Sequence, residues 1–221
     1  MLPDCPDQDG TMRFLATLTA AQIVVVEDLR VRDQEERRAG VRNADSLKAL
    51  DPAVAELLYF LVVSRHARVI VEFGTSHGYS TIHLAAAAER TDGHVHSVDV
   101  MPQKTAQARA SLERAELLHR VTLVTAEGIE FAARLPEAVD FVLVDYGVEA
   151  FAPAFTDVRR RMAPGCLLFV DGGPEGYWRS GAARAFRVLV ERDPSFLTLG
   201  LPMHKEELLA VYLPDAITAS A

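Results

Sequence analysis

A strand that runs into a glycine bend and out again as a helix is the tightest constraint this sequence carries. Val69-Ile70-Val71 is a short, apolar, β-branched run that reads as a buried strand. Gly74 breaks it, and Gly78 leads into Tyr79–Ala88, an alanine-rich segment of good helix propensity. Strand, glycine turn and helix in that order open a Rossmann-type βαβ unit. Its turn carries backbone N–H groups and a helix N-terminus to the carboxyl end of a strand, where a ligand can sit.

The same alternation continues down the chain. Strands are expected at Val69–Phe73, Val95–Val98, Val121–Val124, Val139–Val144 and Cys166–Val170. Helices follow at Tyr79–Arg90, Gln103–Ala115, Glu127–Leu135, Ala152–Met162 and Arg179–Arg192, with Ala163-Pro164-Gly165 as a turn. Phe196–Leu201 and Leu208–Leu213 read as two strands joined by a Pro-Met-His-Lys-Glu loop, a closing hairpin. The fold class is therefore α/β. A Rossmann-like, seven-stranded, mostly parallel sheet is expected, with helices on both faces and a C-terminal antiparallel hairpin.

Upstream, Met1–Gly10 is polar and reads as loose, and Thr11–Val31 has helical apolar spacing that Val24-Val25-Val26 weakens. Asp33–Ala39 continues as a polar helix and Gly40–Ser46 as a loop. Asp51-Pro52 starts a helix that runs to about His66, with Asp as N-cap and Pro at the first position. Residues 1–50 are thus expected to form an N-terminal helical extension and residues 51–221 the main domain.

The chain has 221 residues and a formal net charge of −8. Its arginines are scattered, and those of Arg30–Arg42 alternate with acids, so no basic patch for nucleic acid is apparent. Cys5 and Cys166 suggest neither a disulfide framework nor a metal cluster. No apolar run approaches membrane-spanning length, and the N-terminus lacks the basic-then-apolar pattern of a signal peptide, so the cytoplasm is the expected location.

The first bend lacks the third glycine of a dinucleotide fingerprint, and no Lys-Ser/Thr pair makes it a P-loop. It suits a ligand that needs close backbone approach and one carboxylate, and S-adenosylmethionine is such a ligand. The plain alternative is a tight βα turn in an unrelated α/β protein. Asp99, Asp145 and Asp171 each close a strand, and Glu72 lies one residue inside the end of the first. In an open α/β sheet all four converge on the ligand-binding edge. Asp in such loops is also a common helix N-cap, which is the competing explanation. Asp99 is placed to accept hydrogen bonds from both ribose hydroxyls of an adenosine cofactor. Glu127, with Gly128 beside it, is placed to meet the adenine end. Gly74 and the Ser76–Ser80 turn would meet the amino acid end, and acidic surroundings favour a cationic sulfonium.

Several stretches carry a resemblance. They are Val71-Glu72-Phe73-Gly74-Thr75-Ser76-His77-Gly78-Tyr79-Ser80, Val98-Asp99-Val100-Met101-Pro102, Asp140 to Asp145, and Met162 to Asp171. Together the chain resembles the class I S-adenosylmethionine-dependent methyltransferases, and within them the catechol and caffeoyl-CoA O-methyltransferases, over roughly Leu50 to Leu213. The resemblance implies a cofactor site drawn from Glu72, Gly74, Ser76, Gly78, Tyr79, Ser80, Asp99, Val100, Glu127, Gly128 and Asp145. It implies Asp145 and Asp171 as catalytic residues at two metal-ligand positions for Mg2+, which in that family binds the acceptor's hydroxyls. It also implies a homodimer whose N-terminal helices cover a small-molecule acceptor.

Two positions depart from the family pattern. Gly172 stands where an Asn ligand is usual, and Val148 where a lysine base is usual. These losses leave the need for Mg2+ open. Without a metal another base is needed, and His77 in the glycine bend is the first candidate, with His204 and Glu175 further ones. Tyr146, Tyr177 and Trp178 either stack on an aromatic acceptor or pack the hairpin. Two rival functions remain: a catalytically silent relative that binds the cofactor, and an NAD-linked Rossmann oxidoreductase.

Overall fold

The computed structural model describes residues 17–41 and 45–214. Met1–Gly10 and the start of the Thr11–Val31 helix lie outside the described residues, as does part of the Gly40–Ser46 loop. The strands are β1 (Val69–Phe73), β2 (His94–Asp99), β3 (Val121–Thr125), β4 (Val139–Val144), β5 (Met162–Val170), β6 (Phe196–Pro202) and β7 (Glu206–Tyr212). The helices are α1 (Ala20–Arg38), α2 (Pro52–Arg65), α3 (Tyr79–Thr91), α4 (Pro102–Arg114), α5 (Gly128–Ala132), α6 (Val148–Phe151), α7 (Phe155–Arg161) and α8 (Gly181–Arg192).

All seven strands form one sheet in the order β3-β2-β1-β4-β5-β7-β6. The first five are parallel, and β7 runs antiparallel between β5 and β6. The chain leaves β1 toward β2 on one side and returns as β4 on the other. That reversal opens a crevice beyond the carboxyl ends of β1 and β4, beside the glycine bend.

Strand alternation divides the core in two. Ile70, Phe141 and Leu143 face one cluster with Leu58, Val62 and Leu84, while Val71, Val142 and Val144 face the other with Phe151 and Phe186. A parallel sheet buried on both faces demands such near-continuous apolar strands. Each fully buried Leu or Phe contributes about 1.5–3 kcal/mol relative to exposure.

The β-branched run does not prevent a helix in the N-terminal part. Thr19 caps α1 through a reciprocal pair with Gln22, and Val25, Val26 and Leu29 enter the first core cluster. Burial of that face outweighs the weak propensity of valine. The polar end of α1 is not simply solvated either. Asp33 accepts a hydrogen bond from the Ala49 backbone at 3.0 Å and Glu36 one from Leu47 at 2.7 Å, so α1 pins the following segment.

Two expectations shift downstream. The helix expected at Ala152–Met162 becomes a 3-10 turn, Ala152–Ala154, followed by α7, while α6 precedes it and Met162 already opens β5; Pro153 supplies no N–H to a helix interior. Ala163-Pro164-Gly165 is not a turn but lies inside β5, where the pairing with β4 shifts register and Gly165 adopts φ +80°.

Candidate active site

A cavity of about 850 Å3 lies over the carboxyl ends of β1, β2, β4 and β5, bounded among others by Gly74, Ser76, Asp99, Asp145, Asp171 and Lys205. Such a volume suits a cofactor-sized ligand. Backbone bonds between strand ends set its rim. Gly74 N–H donates to Val98 O at 2.9 Å, Asp145 N–H to Phe73 O at 2.8 Å and Asp171 N–H to Val144 O at 2.9 Å.

The bend itself is held by its neighbours. Gly74 sits at φ +108°, and a Cβ there would lie 2.6 Å from the Asp145 carbonyl oxygen. Only glycine lets the two strand ends approach so closely. Ser76 adopts φ +46°, its N–H donates to Asp99 Oδ2 at 2.9 Å, and its hydroxyl donates to Leu47 O at 2.6 Å. Asp99 Oδ1 accepts the Met101 N–H at 2.9 Å. Each Asp99 oxygen thus takes one backbone N–H and keeps a lone pair, and the side chain faces the cavity. That is what a vicinal diol needs.

On the far side of the bend, the Tyr146 ring stacks on Phe73 with centroids 5.9 Å apart. Its hydroxyl is buried and has no hydrogen-bond partner among the described residues. Burial and the Glu127 charge push that phenol up to about 12. A Cβ at Gly128 would overlap the Tyr146 hydroxyl, so this glycine leaves room for the ring. Val100 and Gly128 both line the cavity. A half-free Asp99 carboxylate and a backbone-lined bend fit an adenosine-bearing ligand.

Other expected cofactor contacts fall outside this cavity. Glu72 is fully buried behind the bend, where it accepts hydrogen bonds from Ser80 Oγ (2.6 Å), Thr81 Oγ1 (2.6 Å) and Ser97 Oγ (2.5 Å). Desolvation raises its carboxyl to about 7, against the lowering effect of the three hydroxyls. Glu72 and Ser80 therefore brace the start of α3 from behind. Gly78 packs against Ala108 and Tyr79 joins the first core cluster; neither lines the cavity. Glu127 is exposed at the N-cap of α5 and makes no capping bond.

His77 is also displaced from its expected role. It is buried beneath α1, with Arg32 Nη2 at 3.3 Å and Ser76 Oγ at 3.3 Å, and does not line the cavity. Burial, with the Arg32 and Lys104 charges, lowers its pKa to about 4. A base must reach the proton it takes, and His77 points elsewhere. His204 lies beside Asp51 at 3.5 Å, and Glu175 is solvated beside Arg179. Trp178 packs the hairpin, its indole N–H donating to Glu206 O at 2.5 Å, while Tyr177 lines the cavity.

The acidic end of the site holds a residue that the sequence alone did not single out. Lys205, in the β6–β7 loop, donates from its ammonium to Asp171 Oδ2. The loop is fixed by buried Glu207, which accepts the backbone N–H of Lys205 at 2.8 Å and of Met203 at 3.2 Å. Burial opposes the Lys205 charge, but Asp171 and Asp145 outweigh it and raise its pKa. Burial and the adjoining Asp171 charge push the Asp145 carboxyl well above the usual range. In the sequence its one signal is a lysine beside His204 in the closing hairpin loop.

The donor set does not fit a divalent cation. Among the described residues no three His, Cys, Asp or Glu side chains converge to hold a metal. Gly172 offers no side-chain oxygen, and a Cβ there would overlap the Glu206 carbonyl oxygen. Asp171 is already engaged by Lys205, and Val148 is fully buried in the second core cluster. Magnesium keeps several waters and takes one or two carboxylates from a protein, so water could replace the lost Gly172 ligand, but the Lys205 ammonium sits on the Asp171 oxygen such an ion would use.

Comparison with known proteins agrees with this geometry. The methyltransferase-domain family Methyltransf_24 matches residues 71–172. The catechol O-methyltransferase of Niastella koreensis is 28% identical over 127 residues, 56% of this chain and 57% of that protein. The chain thus matches little more than half the length of that relative. An O-methyltransferase by name from Mycolicibacterium vanbaalenii is 31% identical over 173 residues, covering 77% of this chain and 74% of that one. In three dimensions, the O-methyltransferase of Bacillus cereus, solved in complex with S-adenosylhomocysteine, superposes with a TM-score of 0.71. That likeness covers 86% of this chain and 90% of that one at 23% identity, and speaks for the fold. From the seven-stranded order, the site at its switch point and these similarities together, the chain belongs to the class I S-adenosylmethionine-dependent O-methyltransferases.

Proposed function

We propose that this protein transfers the methyl group of S-adenosylmethionine to a hydroxyl oxygen of a small-molecule acceptor. One observation carries the reading: a single cavity joins the Asp99-braced glycine bend to the Asp145–Asp171–Lys205 cluster. When bound, S-adenosylmethionine supplies an electrophilic methyl group on a sulfonium; the acceptor oxygen takes the methyl and loses its proton. Asp99 would hold the ribose hydroxyls, Tyr146 and Gly128 would flank the nucleoside, and the Gly74 bend would meet the amino acid end. The acids around the bend favour the positive charge of the sulfonium. The Asp145–Asp171 pair is placed to hold the proton that leaves the acceptor. Holding both reactants in one cavity replaces a bimolecular encounter with an oriented one.

Residues 1–50 act in this reading as the acceptor cover, which is supported by Asp33, Arg37, Val41, Ser46 and Lys48 lining the cavity. Exposed Val24 and Val31 on α1 and Phe60 on α2 support a homodimer through the same helices; sedimentation analysis tests it. No helix among the described residues is long and apolar enough to cross a membrane, which is compatible with the cytoplasmic location carried over from the sequence.

Calorimetric titration with S-adenosylmethionine, S-adenosylhomocysteine and NAD tests the cofactor. A panel of phenols, catechols and amines, followed by radiolabelled methyl incorporation, tests the chemistry. Affinity for NAD alone overturns the reading. Tight S-adenosylhomocysteine binding with no product on any acceptor favours the silent relative, which the departures at Gly172 and Val148 motivate.

A further inference from the structure

The cluster at the acceptor end is built as a cation site in which the cation belongs to the chain. Three observations meet there. The Lys205 ammonium lies on Asp171 and is drawn also by Asp145. Its backbone N–H is held by Glu207, a carboxylate 1% exposed, which fixes where the side chain leaves the loop. Gly172 is sealed by the same hairpin: the Glu206 carbonyl occupies the space of any side chain, and the Trp178 indole N–H donates to that carbonyl. The arrangement that removes room for a third ligand is the one that brings in the lysine.

We propose that the Lys205 ammonium, held between Asp171 and the cavity, takes the part of a divalent cation by holding one acceptor oxygen and stabilising its developing negative charge. This rests on the O-methyltransferase reading and narrows it. A chelating ion grips two adjacent oxygens and so selects a vicinal diol. An ammonium is a compact point charge with three donors and makes no two-oxygen demand. One donor goes to Asp171, and the others remain for the acceptor. The substrate class is therefore a hydroxylated molecule with one ionisable hydroxyl, a monophenol or an enol, with no need for a catechol. In the step itself the acceptor O–H proton passes to the Asp145–Asp171 pair. The C–O bond forms as the C–S bond breaks, and its electron pair stays on sulfur in S-adenosylhomocysteine.

The test uses the full chain stripped of metal with EDTA. Mn2+ is titrated in and followed by electron paramagnetic resonance, with S-adenosylhomocysteine affinity measured in parallel. Turnover of monophenols and catechols is then compared with EDTA and with added Mg2+. The expected result is a Mn2+ signal that stays that of the free ion, turnover within twofold in EDTA and Mg2+, and no preference for catechols. Lys205→Met should lose at least about 100-fold in kcat, the scale of removing one charge-stabilising donor, with S-adenosylhomocysteine affinity unchanged. Lys205→Arg, which keeps the charge, should recover most of it. Stoichiometric Mn2+ binding by the wild-type chain overturns the proposal whether or not an acceptor is found, as does turnover abolished by EDTA or unaffected in Lys205→Met. Failure of the wild-type chain to bind S-adenosylhomocysteine overturns instead the methyltransferase reading on which it rests.

Discussion

The backbone N–H of Ser76 donates to Oδ2 of Asp99 at 2.9 Å, so the acid that closes the second strand also fixes the bend that follows the first. Ser76 lies at φ +46°, a conformation that a side-chain-bearing residue holds only when its surroundings impose it. Asp99 is part of that imposition and part of the ligand site at once. Asp99→Ala should therefore raise the Kd for S-adenosylmethionine by about 100-fold, from the loss of charge-assisted hydrogen bonds worth about 1.5–3 kcal/mol each. Asp99→Asn should lose less, because its one carbonyl oxygen still accepts. Calorimetry measures both, and equal affinities for Ala and wild type would place the cofactor elsewhere.

Gly74 admits no side chain. A Cβ would sit 2.6 Å from Asp145 O at a backbone φ of +108°. Gly74→Ala should destabilise by about 3 kcal/mol through overpacking and backbone strain together. For a chain of this size that is a fall in Tm of roughly 10 °C. It should also push β1 and β4 apart and weaken cofactor binding, whereas Gly40→Ala, with open space around it, serves as a control for φ strain alone. A melting curve for Gly74→Ala that matches the control would remove the close approach as the reason for this glycine.

Buried Glu72 makes stability fall as pH rises. Its folded pKa, about 7, lies above the 4.5 ordinary for a glutamate, so the folded state holds the proton more tightly than the unfolded chain does. That contribution is fully present below pH 4.5 and is lost as pH climbs through 7. The difference amounts to about 3 kcal/mol. Urea unfolding of the wild type and of Glu72→Gln, at steps from pH 4.5 to 8, should show the wild type losing ground to the variant by that amount. Parallel curves would mean that Glu72 is not titrating in this window.

The histidine contribution runs the other way. His77 and His83 both have folded pKa values of about 4, chiefly because they are buried, against the 6.5 ordinary for a histidine. Unfolded histidines take up protons that the folded ones refuse, so their stabilising effect holds above pH 6.5 and is lost as pH falls toward 4. His77→Gln should flatten part of that acid limb in chemical unfolding. Methyl transfer at neutral pH should stay within about threefold of wild type, since His77 does not face the cavity. A loss of turnover on the scale of a missing general base, ~10²–10⁴-fold, would return His77 to the chemistry.

Periodicity alone was enough for the architecture. Short apolar runs such as Val139–Val144, bounded by polar turns and repeated in alternation with helices, are those of a parallel sheet buried on both faces. The rim acids were legible for the same reason: a residue that ends a strand is carried by the strand's direction, so Asp99, Asp145 and Asp171 had to arrive at one edge. Direction within a turn is not carried by spacing. Glu72 lies in β1 on the face opposite Val71 and Phe73, where Ser80, Thr81 and Ser97 enclose it, while His77 in the bend turns under α1 against Arg32. Lys205 is separated from Asp171 by 34 positions, and nothing local joins them. Their meeting depends on β7 inserting between β5 and β6, a pairing made by long-range contacts and therefore visible only in the folded chain.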